Sequence, residues 1–202
     1  MNLPNKLTVA RVVLVPFFLV FLLIPAIPYN FLWACVVFVI ASITDFLDGK
    51  IARSRNLVTT FGKFLDPLAD KILVTCALVA FVQLGLAHSV AVIIIIARDY
   101  MVSAIRMLAV SSNGKVIAAN WWGKIKTALQ MIAIIGVILA CHIVQIAEYK
   151  RDPYILYFFA PTPNIMQVQF LSNIIMWVLA VYTLVSGLVY VIQNKELINT
   201  VK

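Results

Sequence analysis

Charged residues are scarce in this chain, and acidic residues are the scarcest of them. Charged side chains make up only 12% of the 202 residues and Asp plus Glu number eight, whereas 63% of the residues are hydrophobic. The mean hydropathy is +1.02. Soluble domains carry about 25% charged residues, so a water-soluble fold could not hide this much apolar surface. The composition therefore predicts one integral membrane domain that has the bilayer as its solvent.

Cysteine is almost absent, and its placement excludes both a disulfide framework and a cysteine metal site. Cys35, Cys76 and Cys141 each stand alone inside an apolar run, without the spacing of either kind of site. We interpret all three as small core residues.

The net charge of +8 does not indicate a nucleic-acid partner. The basic residues stand at the ends of hydrophobic runs, where they would meet anionic lipid headgroups and phosphorylated substrates. We therefore predict membrane lipids as partners and no nucleic acid.

Six apolar runs are long enough to cross a bilayer core of ~30 Å, which takes about 20 helical residues. No small-residue cleavage site follows the first run, so it is predicted to be a retained span and not a signal peptide. The polar, proline-bearing stretch 148–169 is predicted to be the one long loop. The sequence thus predicts an all-α integral membrane fold in one domain, 1–202, with six transmembrane helices at about 7–27, 30–50, 66–87, 89–110, 122–146 and 170–192.

The distribution of lysine and arginine orients these spans, because cytoplasmic segments are enriched in both. The side opposite the two termini holds only Lys150 and Arg151, offset by Glu148 and Asp152. The cell membrane is the predicted location, with both termini and the active site on the cytoplasmic side. That side would hold thirteen basic residues, which are Lys6, Arg11, Lys50, Arg53, Arg55, Lys63, Lys71, Arg106, Lys115, Lys124, Lys126, Lys195 and Lys202.

Half of the acidic residues fall in one short segment, TDFLDGKIARSRNLVTTFGKFLDPLADK, which joins spans two and three. Asp45 and Asp48 are three residues apart, and Asp66 and Asp70 are four apart, so each pair shares a helix face. The first pair ends one span and the second begins the next. All four carboxylates are therefore expected to meet at one edge of the bilayer.

Four carboxylates this close repel one another unless cations bind between them. Carboxylate oxygens are hard ligands that suit Mg²⁺ or Mn²⁺, and two divalent ions would leave positions open for phosphate oxygens. Paired metals of this kind suit in-line displacement at phosphorus, and Gly49 and Gly62 would let a ligand approach the backbone. Either pair alone could instead be a solvated helix end, because Asp66 before Pro67 is a good helix N-cap.

The same segment resembles the full signature of the CDP-alcohol phosphotransferase family. The pattern D-x-x-D-G-x-x-A-R, eight residues, then G-x-x-x-D-x-x-x-D, begins at Asp45 and ends at Asp70 without a departure. The resemblance implies six transmembrane helices with a cytoplasm-facing site. It implies transfer of the phosphatidyl group of CDP-diacylglycerol to an alcohol, with release of CMP, and it suggests a homodimer.

The resemblance also implies roles for individual residues. Asp70 would be the catalytic base on the acceptor hydroxyl, Ala52 and the two glycines would line the cytidine pocket, and Arg53 would contact the nucleotide phosphates. The implied metal ligands are Asp45, Asp48, Asp66 and Asp70. The implied CDP-binding residues are Asp48, Gly49, Ala52, Arg53, Gly62 and Asp66.

The acceptor is expected to bind at a second group of charged residues, in spans four and five. Arg98 and Asp99 lie near mid-span, where a charge costs at least ~2.5–3.5 kcal/mol, so a polar cavity is expected there. Arg98 and Asp99 could instead only neutralise each other, and the lysines of span five could serve orientation alone. In span five, Lys124, Thr127 and Gln130 lie three residues apart on one stripe of the predicted helix. Lys126 lies beside this stripe and adds a further cation. The predicted acceptor phosphate-binding residues are Arg98, Arg106, Lys124 and Lys126.

The stretches NLPNKLTVAR, ARDYMVSAIRMLAVSSNGKVIAAN and WGKIKTALQM resemble the branch of the family whose acceptor is sn-glycerol 3-phosphate. Asp99 departs from that resemblance, which leads us to expect glutamate there, but the charge is kept. Inositol phosphate, serine and phosphatidylglycerol remain alternative acceptors. A small cation transporter is a further alternative, disfavoured because the aspartates stand at one membrane face and no internal repeat is visible.

Overall fold

The described part of the chain is all-helical. A computed structural model describes residues 3–55, 60–113, 121–151 and 162–193 and, within them, the side chains of 8–44, 71–107, 121–150 and 162–193. These ranges contain six α-helices and no β-strand. The helices are α1 Leu3–Leu23, α2 Asn30–Arg55, α3 Thr60–Gln83, α4 Ser89–Asn113, α5 Trp121–Arg151 and α6 Pro163–Gln193.

The helices coincide with the six predicted apolar runs but extend past several of their ends. The predicted loop 148–169 was too long, because 148–151 belong to α5 and 163–169 belong to α6. One proline of that stretch, Pro163, starts a helix instead of preventing one. Pro163 occupies the first helical position, where a missing N–H costs nothing, and the Thr162 hydroxyl accepts a hydrogen bond from the Ile165 N–H at 3.4 Å.

α3 also begins earlier than expected. Its first residue is Thr60, so Asp66 and Pro67 lie inside the helix. The reading of Asp66 as a helix N-cap is therefore wrong.

Packing closes the six helices into a ring in the order α1, α2, α5, α6, α4, α3. Each neighbouring pair in that order is in contact, and α3 also touches α2 and α5 across the middle. The core between them is apolar and contains fully buried Phe18, Phe38 and Phe81. The Phe18 and Phe38 rings hold α1 to α2 with their centroids 5.4 Å apart. The closed ring leaves its interior as the place for a site between helices.

Short turns fix which helix ends lie together. Gly85, at a φ of 70°, ends α3; the N–H of Gly85 donates to Val82 at 3.1 Å and that of Leu86 to Phe81 at 2.8 Å. This pair of bonds is the Schellman cap, which needs a residue in the left-handed conformation and so favours glycine. The turn is short, because α3 ends at Gln83 and α4 begins at Ser89.

Side-chain hydrogen bonds show which ends of α2, α5 and α6 lie at the same end of the bundle as that turn. Gln145 of α5 donates to Asn30 of α2 at 2.7 Å, and Ser172 of α6 donates to the carbonyl of Leu86 at 2.6 Å. We call this the turn end of the bundle. The C-terminus of α2, the N-termini of α3 and α5 and the C-termini of α4 and α6 consequently lie away from it.

The described helices and their surface are apolar enough to suit a membrane. Among the described residues, the segments Trp121–Lys150 and Pro163–Gln193 are long and apolar enough to cross a bilayer, and shorter apolar stretches lie in α1, α2 and α3. Large apolar side chains such as Phe170, 68% exposed, and Ile132, 66% exposed, stand on the outside of the bundle. Such a surface suits lipid better than water. The count of six spans and their orientation stay predictions.

Candidate functional site

A cavity of about 210 Å³ lies between α3, α4 and α5, in the half of the bundle away from the turn end. Most of its lining residues are spaced three or four apart along their helices, so one stripe of each helix faces it. The lining consists of Lys71, Val74, Thr75 and Leu78 of α3, Ile96, Arg98, Asp99, Val102, Ser103 and Arg106 of α4, and Gly123, Lys126, Thr127 and Gln130 of α5.

The charges in this lining are strongly unbalanced. Among the described side chains of this lining, the four cations are Lys71, Arg98, Arg106 and Lys126 and the one anion is Asp99, a formal charge of +3. Lys126 is only 2% exposed and Arg98 only 8%. Buried charges of one sign are costly unless a partner of the other sign is present. The cavity is therefore suited to an anion.

Asp99 of α4 is paired with Lys126 of α5. Its carboxylate accepts a hydrogen bond from the Lys126 ammonium, which also donates to the Gln130 side-chain oxygen one turn along α5. The contact between the neighbours Arg98 and Asp99 is longer, 3.3 Å from Nη1 to Oδ1. Asp99 thus takes its closer partner from another helix. Mutual neutralisation of Arg98 and Asp99 does not account for the cluster, since three further cations share the described lining with this one carboxylate.

Lys71 is the cavity cation that sequence reasoning missed as a binding residue. Its ammonium donates to the backbone carbonyl of Asp99 at 3.1 Å and to the Ser103 hydroxyl, so it joins α3 to α4. It also lies 5.7 Å from the centre of the Tyr100 ring. The sequence holds one signal for it, which is that Lys71 directly follows Asp70.

Three buried N–H groups of the cavity lining have no partner in the described part of the protein. They are Nε of Arg98, Nε of Arg106 and the amide nitrogen of Gln130. The orientation of the Gln130 amide is fixed because the Lys126 ammonium can only donate and so faces its oxygen. A buried donor left unpaired costs about 1–3 kcal/mol. No buried acceptor of the described lining is unpaired, so the chemistry that fits is an acceptor-rich anion such as phosphate.

The structure brings together three of the four predicted acceptor residues. Arg98, Arg106 and Lys126 line one cavity, whereas Lys124 is exposed and is not part of that lining. Thr127 and Gln130 of the predicted α5 stripe do line the cavity, together with Lys126, whereas the third residue of that stripe, Lys124, does not. Its role as an acceptor residue stays a prediction.

The aspartate motif stands in the same half of the bundle. Asp45 and Asp48 lie in the last half of α2, and Asp66 and Asp70 lie in the first half of α3, each pair in unbroken helix. Asp70 stands one turn before Val74 on α3 and is bonded through the chain to Lys71, so its backbone adjoins the cavity. The side chains of the predicted metal and CDP-binding residues, Asp45, Asp48, Gly49, Ala52, Arg53, Gly62, Asp66 and Asp70, lie outside those that the structure describes.

The donor set of this motif fits a divalent ion of the magnesium type. Four carboxylates supply hard oxygen ligands, and the helical registers i, i+3 and i, i+4 place each pair on one face. Elsewhere, among the side chains in the described ranges, no three His, Cys, Asp or Glu residues gather as a metal site. The aspartate motif is thus the place in this chain where such an ion would be held.

Comparison with known proteins agrees with this arrangement. The family model described as CDP-alcohol phosphatidyltransferase matches residues 1–185. The chain belongs to that family. The CDP-alcohol phosphatidyltransferases are enzymes, and the match includes the aspartate motif and all three helices that line the cavity.

Curated relatives cover the chain almost from end to end. A Bacillus subtilis protein named CDP-diacylglycerol–glycerol-3-phosphate 3-phosphatidyltransferase is 40% identical to it, over 98% of each chain. A Rickettsia bellii protein of the same name is 34% identical, over 94% of this CDP-alcohol phosphatidyltransferase and 93% of the relative. One from Haemophilus influenzae is 41% identical, over 68% of this chain and 75% of its own.

Proposed function

We propose that the chain transfers the phosphatidyl group of CDP-diacylglycerol to sn-glycerol 3-phosphate, giving phosphatidylglycerophosphate and CMP for anionic phospholipid synthesis. The observation that carries the acceptor is the cavity of formal charge +3 with three unpaired buried donors. The similarity to relatives named for this reaction supports the same assignment.

The donor half of the proposed site is the aspartate motif. Asp45, Asp48, Asp66 and Asp70 would hold two divalent ions, Mg²⁺ or Mn²⁺. When bound, such ions offset the charge of a pyrophosphate and of the departing CMP. Ala52 and the glycines Gly49 and Gly62 would leave room for the cytidine. Arg53 would contact the nucleotide phosphates.

The acceptor half is the cavity. Arg98 and Arg106 would bind the phosphate of glycerol 3-phosphate through paired N–H groups, and Lys71 and Lys126 would add point charges. Held in this way, the acceptor hydroxyl would lie close to Asp70, since Lys71 is the next residue of α3. Asp70 would take the hydroxyl proton as the oxygen attacks the lipid-side phosphorus. The bond between that phosphorus and the CMP oxygen breaks, and CMP leaves with the electron pair.

The cavity also discriminates among the alternative acceptors. Serine carries no phosphate and would leave the unpaired donors without an acceptor of matching charge. A volume of about 210 Å³ suits a small polar molecule better than the whole of phosphatidylglycerol, because drug-sized ligands occupy ~300–1,000 Å³. Inositol phosphate has the required charge but is the bulkier molecule.

A cation transporter is disfavoured by the same charges. A path for cations would have to pass the described lining, in which four side chains are positive and one is a carboxylate. Repulsion of this kind is what anion-selective pores use against cations. The cavity therefore supports transfer chemistry on an anionic acceptor.

The proposal includes the placement of the enzyme. Six spans would put the aspartate motif, the cavity and both termini on the cytoplasmic side, where thirteen basic residues are predicted. A homodimer is proposed from the family resemblance alone.

The acceptor assignment predicts the outcome of a substrate panel. Purified protein in detergent, given CDP-diacylglycerol and Mg²⁺, is expected to release CMP with labelled glycerol 3-phosphate and not with serine, inositol phosphate or phosphatidylglycerol. Chelation of the metal by EDTA is expected to stop release, and fresh Mg²⁺ to restore it. Release with inositol phosphate in place of glycerol 3-phosphate would overturn the acceptor assignment.

Lys71 offers a second test, because no motif marked it as an acceptor residue. Lys71→Met keeps the length of the side chain but removes the charge, so the KM for glycerol 3-phosphate is expected to rise about tenfold. Steady-state kinetics measure it, with the KM for CDP-diacylglycerol as the internal reference. The matched variant Lys124→Met changes an exposed lysine of α5 and is expected to have the smaller effect. An equal or larger effect at Lys124 would favour the stripe proposed from the sequence.

A further inference from the structure

We propose that Ser186 and Gly187 of α6 are positioning residues, which set where the Arg98 guanidinium stands although α6 lines no described part of the cavity. The inference rests on the proposed function, in which Arg98 binds the phosphate of the acceptor. It means that α6 contributes to the affinity for the acceptor, although its residues belong neither to the aspartate motif nor to the described cavity lining.

Gly187 gives the Arg98 side chain its space. A Cβ built on Gly187 would stand 2.9 Å from Cγ of Arg98, 3.3 Å from its Nε and 3.6 Å from its Cδ. Contacts below about 3 Å are not tolerated between carbon atoms. Cγ is close to the backbone and cannot swing aside as the tip of a side chain can, so any side chain at 187 would push Arg98 into another rotamer. Glycine at this position therefore fixes the course of the arginine past α6.

Ser186 holds the far end of the same side chain. The Arg98 Nη2 donates to the Ser186 hydroxyl at 2.8 Å, and both groups are buried. The opposite nitrogen, Nη1, is directed to Asp99. With one anchor on α6 and one on α4, the plane of the guanidinium is set and its Nε–H is left unpaired for a ligand.

The next turn of α6 contacts the second arginine of the cavity, Arg106. Tyr190, which follows Ser186 by four residues and shares its face, is 3% exposed. Its ring centre lies 5.5 Å from the guanidinium carbon of Arg106. A cation over an aromatic ring is held without using up an N–H group. One face of α6 thus contacts both arginines, while Nε of each has no partner in the described part of the protein.

Pre-organised arginines bind more tightly than free ones, because a long side chain loses rotamer freedom when a ligand orders it. Displacement by about 1 Å is enough to weaken a site of this kind by an order of magnitude or more. The contribution of α6 is therefore expected in the KM for the acceptor. The donor lipid binds at α2 and α3 in the proposed function, so its KM is expected to stay unchanged.

The test is Gly187→Ala, with Gly136→Ala as its matched control. Gly136 also lies within a long helix, but a Cβ built there meets nothing within 4 Å. In Gly187→Ala the KM for glycerol 3-phosphate is expected to rise about tenfold, with kcat and the KM for CDP-diacylglycerol within about twofold of the wild type. Gly136→Ala is expected to match the wild type in all three. Inhibition of CMP release by inorganic phosphate is expected to weaken in Gly187→Ala by the same factor as the acceptor KM.

Ser186 provides the second variant, which decides the matter if Gly187→Ala does not fold. Ser186→Ala is expected to raise the acceptor KM about fivefold, Ser186→Thr to restore it by keeping the hydroxyl, and Ser172→Ala to leave it unchanged. Ser172 is the matched control because its buried hydroxyl bonds the carbonyl of Leu86 at the turn end. Thermal unfolding in detergent reports on folding of each variant.

Two failures are distinguishable in this design. An unchanged acceptor KM in both folded variants, or an equal rise in the KM for CDP-diacylglycerol, would overturn the positioning role while the wild type still turns over glycerol 3-phosphate. A wild-type protein that does not release CMP with glycerol 3-phosphate would instead refute the proposed function.

Discussion

Asp70→Asn is expected to lower kcat by about 10³-fold, which makes it the most damaging single replacement at the donor site. Asparagine has nearly the same shape as aspartate but cannot accept the acceptor's proton, and a positioned general base contributes roughly 10²–10⁴-fold. The loss of one negative charge from the four carboxylates also weakens the proposed metal ligation. CMP release at saturating CDP-diacylglycerol, glycerol 3-phosphate and Mg²⁺ measures the effect.

Substrate binding and a matched control variant test whether Asp70 acts as the general base. Binding of CDP-diacylglycerol in the presence of Mg²⁺ is expected to survive within about tenfold, because three of the proposed ligands remain. Asp152→Asn, in the stretch predicted to lie across the membrane from the site, is the matched carboxylate control and is expected to keep wild-type turnover. Wild-type turnover in Asp70→Asn itself would remove this residue from the chemistry.

Arg98→Ala is expected to lower kcat/KM for glycerol 3-phosphate by about 10²–10³-fold. Hydrogen bonds to a charged partner are worth ~1.5–3 kcal/mol each, and a forked guanidinium–phosphate contact makes two of them. The replacement also leaves Ser186 without its partner and removes one of the four cavity cations. Because the lost contact belongs to the acceptor, the KM for CDP-diacylglycerol is expected to stay near the wild-type value.

Two companion variants show whether this effect belongs to the forked geometry. Arg98→Lys keeps the charge but not the fork and is expected to fall between Arg98→Ala and the wild type. Lys150→Ala removes an exposed cation from the turn-end part of α5 and is expected to leave the kinetics unchanged. Competition by inorganic phosphate is expected in the wild type and in Lys150→Ala, and to be nearly lost in Arg98→Ala. Undiminished competition in Arg98→Ala would show that phosphate binds elsewhere.

The class of fold and the chemistry of the donor site could be predicted from the sequence, because both depend on residues that are close together along the chain. The scarcity of charge predicts a membrane domain, and each apolar run coincides with a helix of the described structure. The aspartate motif lies within 26 residues, Asp45 to Asp70, so its spacing and its glycines are legible without a fold. The helix ends were less predictable, because prolines near 163 are compatible with both a loop and the first turn of a helix.

The acceptor cavity is different, because its residues come from three helices. Which side of a helix faces the centre of the ring depends on its rotation, and an error of one residue turns it by about 100°. This is why the sequence named both Lys124 and Lys126, whereas only Lys126 of the two belongs to the described cavity lining. It is also why Lys71 was counted among the basic residues of one membrane face and not among the binding residues.

The sequence by itself determined that this chain belongs to the CDP-alcohol phosphatidyltransferase family and predicted a membrane protein, since composition and a continuous motif are independent of how helices pack. Only the tertiary structure showed that four cations share one cavity and that Asp99 bonds Lys126 on another helix. It also showed that α6, which lines no described part of the cavity, contacts Arg98. The physical reason is that contacts between helices distant in sequence depend on packing of side chains at a few ångströms. Ser186 lies 88 residues from Arg98 along the chain, yet their polar atoms are 2.8 Å apart.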